Sequence, residues 1–232
     1  MATTIPSKDP FFIYDGLYEI SEAARIINVT AHLPELEHHI TNRHVLRWIR
    51  KGLALPRLGE LHGTEILLSF EDLISMRVIA LLKAVGVKWT KIYEAESWLR
   101  SYTGSDRPFA TETLWTAGHE VFHERQGELI AASMGGQYPF KELIADYLVP
   151  VAGMTFNTDG RAESWSPKGL ILLKPTIQFG SPCVKGTRIT TSTLAGMYDA
   201  GDSIESIARI YDLSTDEVEE AIEWEKRLSE AA

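Results

Sequence analysis

The segment at residues 118–126, GHEVFHERQ, contains the pattern His119-Glu120-x-x-His123. On a helix, positions four residues apart share a face, so His119 and His123 could bind one Zn²⁺ together. The carboxylate of Glu120 could then activate a zinc-bound water. The chemistry offered by these residue types is therefore metal-assisted hydrolysis, and it requires a helix of several turns.

The residues around this pattern favour strands rather than a helix. Gly118 directly precedes the pattern and Gly127 follows it closely, which leaves little room for a helix. Residues 121–126 also alternate between two faces, as strand residues do. In a strand, His119 and His123 lie about 13 Å apart, too far to share one ion. We therefore predict two strands and a turn here, and a metalloenzyme using these residues is kept only as a third hypothesis.

Other candidate metal ligands and nucleophiles are few. Four histidines lie close together in the sequence: His32, His38, His39 and His44. No cysteine accompanies them and their spacings match no standard zinc pattern, so an exposed loop is preferred over a metal site. The single cysteine, Cys183, has no histidine at an assignable distance and is predicted to be a small buried thiol. Arg188 is expected to bond turn carbonyls or a carboxylate. No catalytic residue, metal or cofactor is predicted.

Charge is distributed unevenly along the 232 residues. The formal net charge is −9, yet residues 1–100 carry 12 basic and 12 acidic side chains. Residues 101–232 carry 11 basic and 20 acidic side chains. This balance argues against bulk nucleic-acid binding, although residues 41–57 contain five Lys or Arg and no acid. Any contact with DNA is therefore expected to be local.

The composition also suggests a compartment. A lone cysteine excludes internal disulfides and suits a reducing cytoplasm. No run reaches about 18 uncharged apolar residues, and the start MATTIPSKDPFF lacks the features of a signal peptide. We expect a cytoplasmic protein with no membrane partner.

Two amphipathic helices are predicted in the first fifty residues. The segment LYEISEAARIINV indicates a helix from about Ser21, and TNRHVLRWIRKGL indicates a second from an N-cap at Thr41 to a stop at Gly52. The second helix has an apolar face of Val45, Trp48 and Ile49 and a separate basic stripe of Arg43, Arg47 and Arg50. A basic stripe without acidic partners suits a helix in the major groove of DNA.

The following segments complete a recognisable layout. A hairpin is predicted around His62-Gly63, and a long helix with a broad apolar face begins near Ser69. The segments YEISEAARI, HVLRWIRKGLALP and SFEDLISMRVIALLKAVGVKWTKI resemble, in order, motifs of the MerR family of regulators. The resemblance covers about residues 17–100, apart from an insertion between the first two helices, TAHLPELEHHI. It implies a winged helix-turn-helix whose second helix reads DNA, whose wing touches the backbone and whose long helix pairs two protomers. The DNA-binding residues expected on this basis are Arg43, His44, Arg47, Arg50, Lys51, Arg57 and His62.

The last sixty residues predict three short helices. The first ends at Gly201, Asp202 or Ser203 caps the second, and Ser214 with Glu217 forms a capping box for the third. The third helix carries six acids: Asp216, Glu217, Glu219, Glu220, Glu223 and Glu225. These carboxylates would repel phosphate, so this unit is expected to pair with itself or with a basic protein.

The segment GSPCVKGTRI and the helices after it resemble a small prokaryotic domain, the domain of unknown function 433. The pattern reads Gly180, Pro182, Cys183, Gly186, Thr187, Arg188 and Ile189, then Gly201, Ser203, Glu205, Ile207 and Ala208. Members of that family are commonly the antitoxin half of VapB/VapC-like pairs, whose toxins resemble PIN-domain ribonucleases. The resemblance therefore implies a VapB-type antitoxin that also represses its own operon, with Glu219, Glu220 and Glu223 as candidate toxin contacts.

The sequence thus predicts an α+β protein with three parts. Residues 1–102 form a MerR-like winged-helix domain with a long helix, residues 103–169 a connector and a small mixed sheet, and residues 170–232 an acidic three-helix domain. The first hypothesis is a homodimeric, non-catalytic antitoxin that binds operator DNA and a PIN-like ribonuclease toxin, with the two functions separable near residue 102. The alternative is a MerR-like regulator whose middle segment binds an effector.

Overall fold

The computed structural model describes residues 16–30, 39–52, 66–84, 86–112, 114 and 153–231. Its elements in chain order are β1 (Tyr18–Glu19), α1 (Ile20–Thr30), α2 (Asn42–Arg50), β2 (Leu67–Leu68), α3 (Phe70–Ala84), α4 (Trp89–Thr103), β3 (Met154–Phe156), β4 (Ala162–Lys168), β5 (Ile171–Leu173), β6 (Cys183–Val184), α5 (Thr191–Asp199), α6 (Ile204–Tyr211) and α7 (Thr215–Glu230). Short 3₁₀ turns occupy Pro108–Ala110 and Gln178–Gly180. The predicted α+β class, with small sheets and a helical C-terminal part, is confirmed.

The helices α1 and α2 form as their apolar patterns predict. In α1 the residues Ala23, Ala24, Ile26 and Ile27 are all buried. In α2, Val45 and Trp48 are buried, and Ile49 packs against the same core. Gly52 has a φ of +74°, and its N–H donates to Ile49 O at 2.9 Å, which ends α2 where the sequence predicts.

The helix α3 lies at the centre of the molecule, and twelve of its residues are buried. It begins with a reciprocal cap, because Asp72 N–H donates to Ser69 Oγ and Ser69 N–H donates to Asp72 Oδ2, both at 3.1 Å. The strand β2 just before α3 pairs antiparallel with β1 just before α1. This two-stranded pairing fixes the starts of both helices next to each other.

The strands β3 to β6 form one four-stranded sheet in sequence order. Every pair in it is antiparallel. The physical reason is connection length, because strands joined by short turns can pair only antiparallel. The sheet includes residues on both sides of position 169, so the strands predicted for the middle part and the start of the C-terminal part belong to one structural unit.

Helices α5 to α7 follow the sheet, and the caps predicted for α6 and α7 are confirmed. Thr190, Ser203 and Ser214 accept side-chain cap hydrogen bonds at the three N-termini. Ser214 and Glu217 form the expected capping box, with Ser214 N–H donating to Glu217 Oε2 at 2.7 Å. The inward residues Val218 and Ala221 of α7 are fully buried.

The N-terminal and C-terminal halves of the chain share one hydrophobic core. Helix α7 packs on α1, and α3 contacts β4. The guanidinium of Arg77 on α3 lies over the ring of Trp165 on β4 with 4.9 Å to the centroid. A bidentate ion pair joins Arg161, just before β4, to Glu71 on α3, with nitrogen–oxygen distances of 2.7 Å. These contacts make the described parts of the chain a single packed body.

A second junction joins β1 to the turn at residues 178–180. Tyr18 Oη donates a hydrogen bond of 2.8 Å to Gly180 O, and Leu17 N–H donates one of 2.8 Å to Phe179 O. Gln178 and Phe179 both adopt positive φ, at +46° and +56°, which L side chains rarely do. The close approach of this turn to β1 depends on Gly180, whose φ is +92°.

Within the described residues, no helix is long and apolar enough to cross a membrane.

We expect Gly180→Ala to destabilise the protein by about 2–4 kcal/mol. A Cβ at this position overlaps Tyr18 Oη and lies 2.9 Å from Tyr18 Cζ, in addition to the strain of the positive φ. Gly186→Ala is the matched control, because its φ is +84° but no atom lies within 4 Å of the added Cβ. Urea unfolding of both variants measures the difference. An equal loss of unfolding free energy in the two variants would contradict a tight junction between Tyr18 and Gly180.

Candidate functional site

The basic stripe predicted on α2 is exposed. Arg43, Arg47 and Arg50 all lie on the solvent side, opposite buried Val45 and Trp48. Within the described residues none of the three arginines forms an ion pair. A helix surface with three unpartnered guanidinium groups is suited to contact phosphate oxygens and base edges.

Two other predicted DNA contacts have structural roles as well. His44 Nδ1 accepts a hydrogen bond of 3.3 Å from Thr41 N–H, so His44 helps to cap α2. Lys51 Nζ lies over the rings of Trp89 and Tyr93, 5.6 and 5.7 Å from their centroids. His44 and Lys51 therefore support the two ends of α2.

The sequence did not indicate how α4 supports the C-terminal end of α2. Trp89, the first residue of α4, packs against Trp48 with 6.3 Å between ring centroids. Lys83 Nζ also lies over the Trp89 ring at 5.0 Å and donates to Val87 O at 2.8 Å. Burial lowers the pKa of Lys83. The only sequence signal for this support is Trp89 itself, directly after the residues Gly-Val-Lys. Its partner Trp48 is distant in sequence, so the contact could not be predicted.

Several predicted features lie outside the described residues. They include the wing residues Arg57 and His62, the His119-Glu120-x-x-His123 pattern, and His32 and His38. The described part of the chain contains no group of three or more His, Cys, Asp or Glu residues placed to hold a metal ion.

The three predicted toxin contacts on α7 differ in their surroundings. Glu219 is exposed. Glu220 Oε1 accepts the N–H of Leu170 at 2.9 Å, and Glu223 forms ion pairs of 2.8 Å with Lys168 and Arg227. The pKa of Glu223 is lowered, first by its hydrogen bond with Lys168. Glu220 and Glu223 therefore attach α7 to the sheet, and Glu219 is the member of the set left to face a partner.

A second pair of carboxylates lies where α7 packs on α1. Glu225 accepts a short hydrogen bond from the buried hydroxyl of Thr191. Burial raises the pKa of Glu225 and of Glu22 on α1, while the positive charge of Arg25 acts to lower both. These groups form an ionisable cluster between α1 and the C-terminal helices α5 and α7.

Cys183 is the buried thiol that the sequence predicts. It is fully buried on β6, and Sγ donates to Ser181 O at 3.3 Å. Burial raises the pKa of this thiol to about 11, so it is protonated at neutral pH. Arg188 is exposed, and its side chain makes no hydrogen bond with the described residues, so the predicted bond to a turn carbonyl or a carboxylate stays a prediction. The adjacent turn is closed by Thr187, whose Oγ1 donates to Val184 O at 2.9 Å.

The turn of Cys183 and the three helices after it match a known family model. Residues 171–224 match the family described as protein of unknown function, DUF433. The chain carries a DUF433 domain. The match begins at β5 and ends within α7, so β3 and β4 complete the sheet of this domain from outside the matched segment.

The fold as a whole has a counterpart among solved structures. The crystal structure of Rv2018 from Mycobacterium tuberculosis aligns with a TM-score of 0.64 and 19% sequence identity. The alignment covers 88% of this chain and 96% of that chain, so the similarity extends well beyond the DUF433 domain. At this identity the similarity establishes the fold only. No curated protein matches the sequence significantly.

We expect Glu225→Gln to raise the thermal stability at pH 7 and to have a smaller effect near pH 4. Burial raises the folded-state pKa of Glu225 above its unfolded value, so ionisation costs stability as pH rises between the two values. Glutamine removes the charge and can still accept the Thr191 hydroxyl. Melting temperatures of the wild type and the variant between about pH 4 and pH 7 test this expectation. Glu219→Gln on the exposed face of α7 is the control. A lower melting temperature at every pH would show that the carboxylate stabilises the contact.

Proposed function

We propose that this chain is an antitoxin that binds its own operator as a transcriptional repressor and neutralises a PIN-like ribonuclease toxin. The observation that carries the proposal is the exposed stripe of Arg43, Arg47 and Arg50 on α2. The stripe lies on a helix that packs on α1 through buried residues, in the manner of a helix-turn-helix reading helix.

The energetics favour local recognition over general attraction to DNA. With a net charge of −9, the chain as a whole repels phosphate, and the attraction must come from the α2 surface. Arginine is the side chain best suited to this task, because its planar guanidinium can bond guanine or phosphate with two hydrogen bonds. A second protomer adds a second half-site, which is the usual way in which such a small surface reaches useful affinity.

The antitoxin half of the proposal rests on the DUF433 domain and on its charge. Residues 202–232 carry 10 acidic and 3 basic side chains. A ribonuclease attracts RNA phosphates through basic residues, so an acidic helix is a suitable surface with which to cover it. Since α7 packs on α1, both surfaces belong to one packed body, and we place the tests in the full-length chain rather than in fragments.

We expect the double variant Arg43→Ala, Arg47→Ala to weaken operator binding by about 1–3 kcal/mol per lost base contact. Both side chains are exposed and lack ion pairs in the described part of the chain, so the fold should be retained. Fluorescence anisotropy with the promoter fragment upstream of the gene measures the effect at two salt concentrations. Each lost phosphate contact should reduce the salt slope by about one.

The matched control is the double variant Arg188→Ala, Arg209→Ala, which removes two exposed arginines from the C-terminal part. It should bind the promoter fragment as tightly as the wild type. If both double variants bind alike, α2 does not read DNA.

We expect Glu219→Lys to weaken the complex with the toxin at least about tenfold, which is about 1.4 kcal/mol. The candidate toxin to test is the protein encoded by the neighbouring reading frame, and growth rescue and the dissociation constant are both measured. Asp159→Lys is the control, because it makes the same charge change at an exposed site on the β3–β4 turn. Full rescue by Glu219→Lys with unchanged affinity would remove the outer face of α7 from the toxin interface.

A further inference from the structure

A pocket of about 810 Å³ opens beside the N-terminal end of α2. Its walls come from three parts of the chain: α1, the segment 39–44 that leads into α2, and Ala231 at the end of α7. Pockets that hold small organic molecules have volumes of about 300–1,000 Å³. The size therefore suits an organic molecule, and it exceeds the need of a single inorganic ion.

The described lining of this pocket includes two cationic side chains and two imidazoles. They are Arg25 and Arg43, with His39 and His44, and no Asp or Glu is among the described lining residues. Neither arginine makes a side-chain hydrogen bond with the described residues. The described lining therefore presents two guanidinium groups and no carboxylate, although the charge of Arg25 also acts on Glu22 and Glu225 behind it.

His44 adds a donor whose position follows from its hydrogen bond. Its Nδ1 accepts the N–H of Thr41, so the proton of the neutral ring resides on Nε2. Nε2 then donates in both the neutral and the charged ring. Carboxylate or phosphate oxygens accept such hydrogen bonds.

The remaining surface of the pocket is suited to a carbon skeleton. Ala24, Ile40 and Ala231 supply apolar atoms between the polar groups. Ala24 and Ile40 belong to the hydrophobic core, so this part of the wall is fixed by packing. An ion without an apolar part would leave these contacts unused.

We propose that this pocket binds a small organic anion. Arg25, Arg43 and His44 hold its phosphate or carboxylate group, and its apolar part covers Ala24 and Ile40. Binding of the anion does not depend on the function proposed above. Its consequence does, because Arg43 cannot serve the anion and operator DNA at once, so the anion lowers operator affinity.

Calorimetry on the full-length chain tests binding with three probes. Phenyl phosphate carries both the anion and an apolar ring, inorganic phosphate carries only the anion, and phenol carries only the ring. We expect saturable binding of phenyl phosphate at one site per chain, binding of inorganic phosphate weaker by about tenfold, and no binding of phenol. Absence of binding by both phosphates at millimolar concentrations would overturn the proposal.

Two variants assign the binding to this pocket. Arg25→Gln should lower the affinity for phenyl phosphate at least about tenfold, and Arg209→Gln, an exposed arginine of α6, should leave it unchanged. Ser21→Tyr fills part of the pocket and should also weaken binding. Melting curves confirm that each variant is folded. Equal affinities for the Arg25 and Arg209 variants would place the probe elsewhere and refute the assignment.

A DNA phosphate is the other source of the same chemistry, and Arg25→Gln separates the two. If the pocket serves a free anion, this variant loses phenyl phosphate but binds the promoter fragment like the Arg209→Gln control. If it instead weakens DNA binding and the wild type ignores phenyl phosphate, the pocket is part of the DNA surface and the proposal fails. The probe titrations contain no DNA. They can therefore be interpreted even if the protein does not bind the operator.

Discussion

The buried guanidinium of Arg77 is the interaction on which the packing of the two halves depends. Its side chain is 2% exposed, and no carboxylate pairs with it within the described residues. Nη2 instead donates to Thr30 O at 3.1 Å, at the carbonyl end of α1, and the cation lies over Trp165. Desolvation lowers the pKa of Arg77 to about 10, so it stays charged at neutral pH. A helix C-terminus and an aromatic face each contribute up to about 2 kcal/mol, which offsets part of the burial cost.

Because of this arrangement, α1 contacts both the N-terminal helices and the C-terminal helix α7. Arg77 binds the last residue of α1, α2 packs on one side and α7 on another. Asp72, at the start of α3, also accepts a hydrogen bond of 3.0 Å from the buried Arg107. Each of these ties joins residues that are distant in sequence. A change in how α7 contacts α1 is therefore a change in the support of α2, which gives a physical route between the two proposed functions.

The parts that the sequence predicted well are those governed by local rules. Helix positions follow from apolar spacing, and the Ser214–Glu217 capping box and the stop at Gly52 follow from neighbouring residues. The exposure of the α2 arginines follows from the same periodicity. The sequence could not reveal that Phe179 occupies a left-handed conformation, because no local preference favours it. It also could not reveal the Lys51–Trp89 contact, which exists only once α4 has packed beside α2.

The acidic helix shows why a count of charges does not describe a surface. Glu223 is paired with Lys168 and Arg227, Glu220 binds the Leu170 N–H, and Glu225 is held by Thr191. These carboxylates attach α7 to the end of β4, to the β4–β5 turn and to α5, so their charge is largely used inside the chain. The electrostatic field that a partner would meet comes from the exposed face of α7, which includes Glu219. Because that face belongs to a helix fixed on two sides, its charges are preorganised, and a basic partner loses little free energy in ordering them.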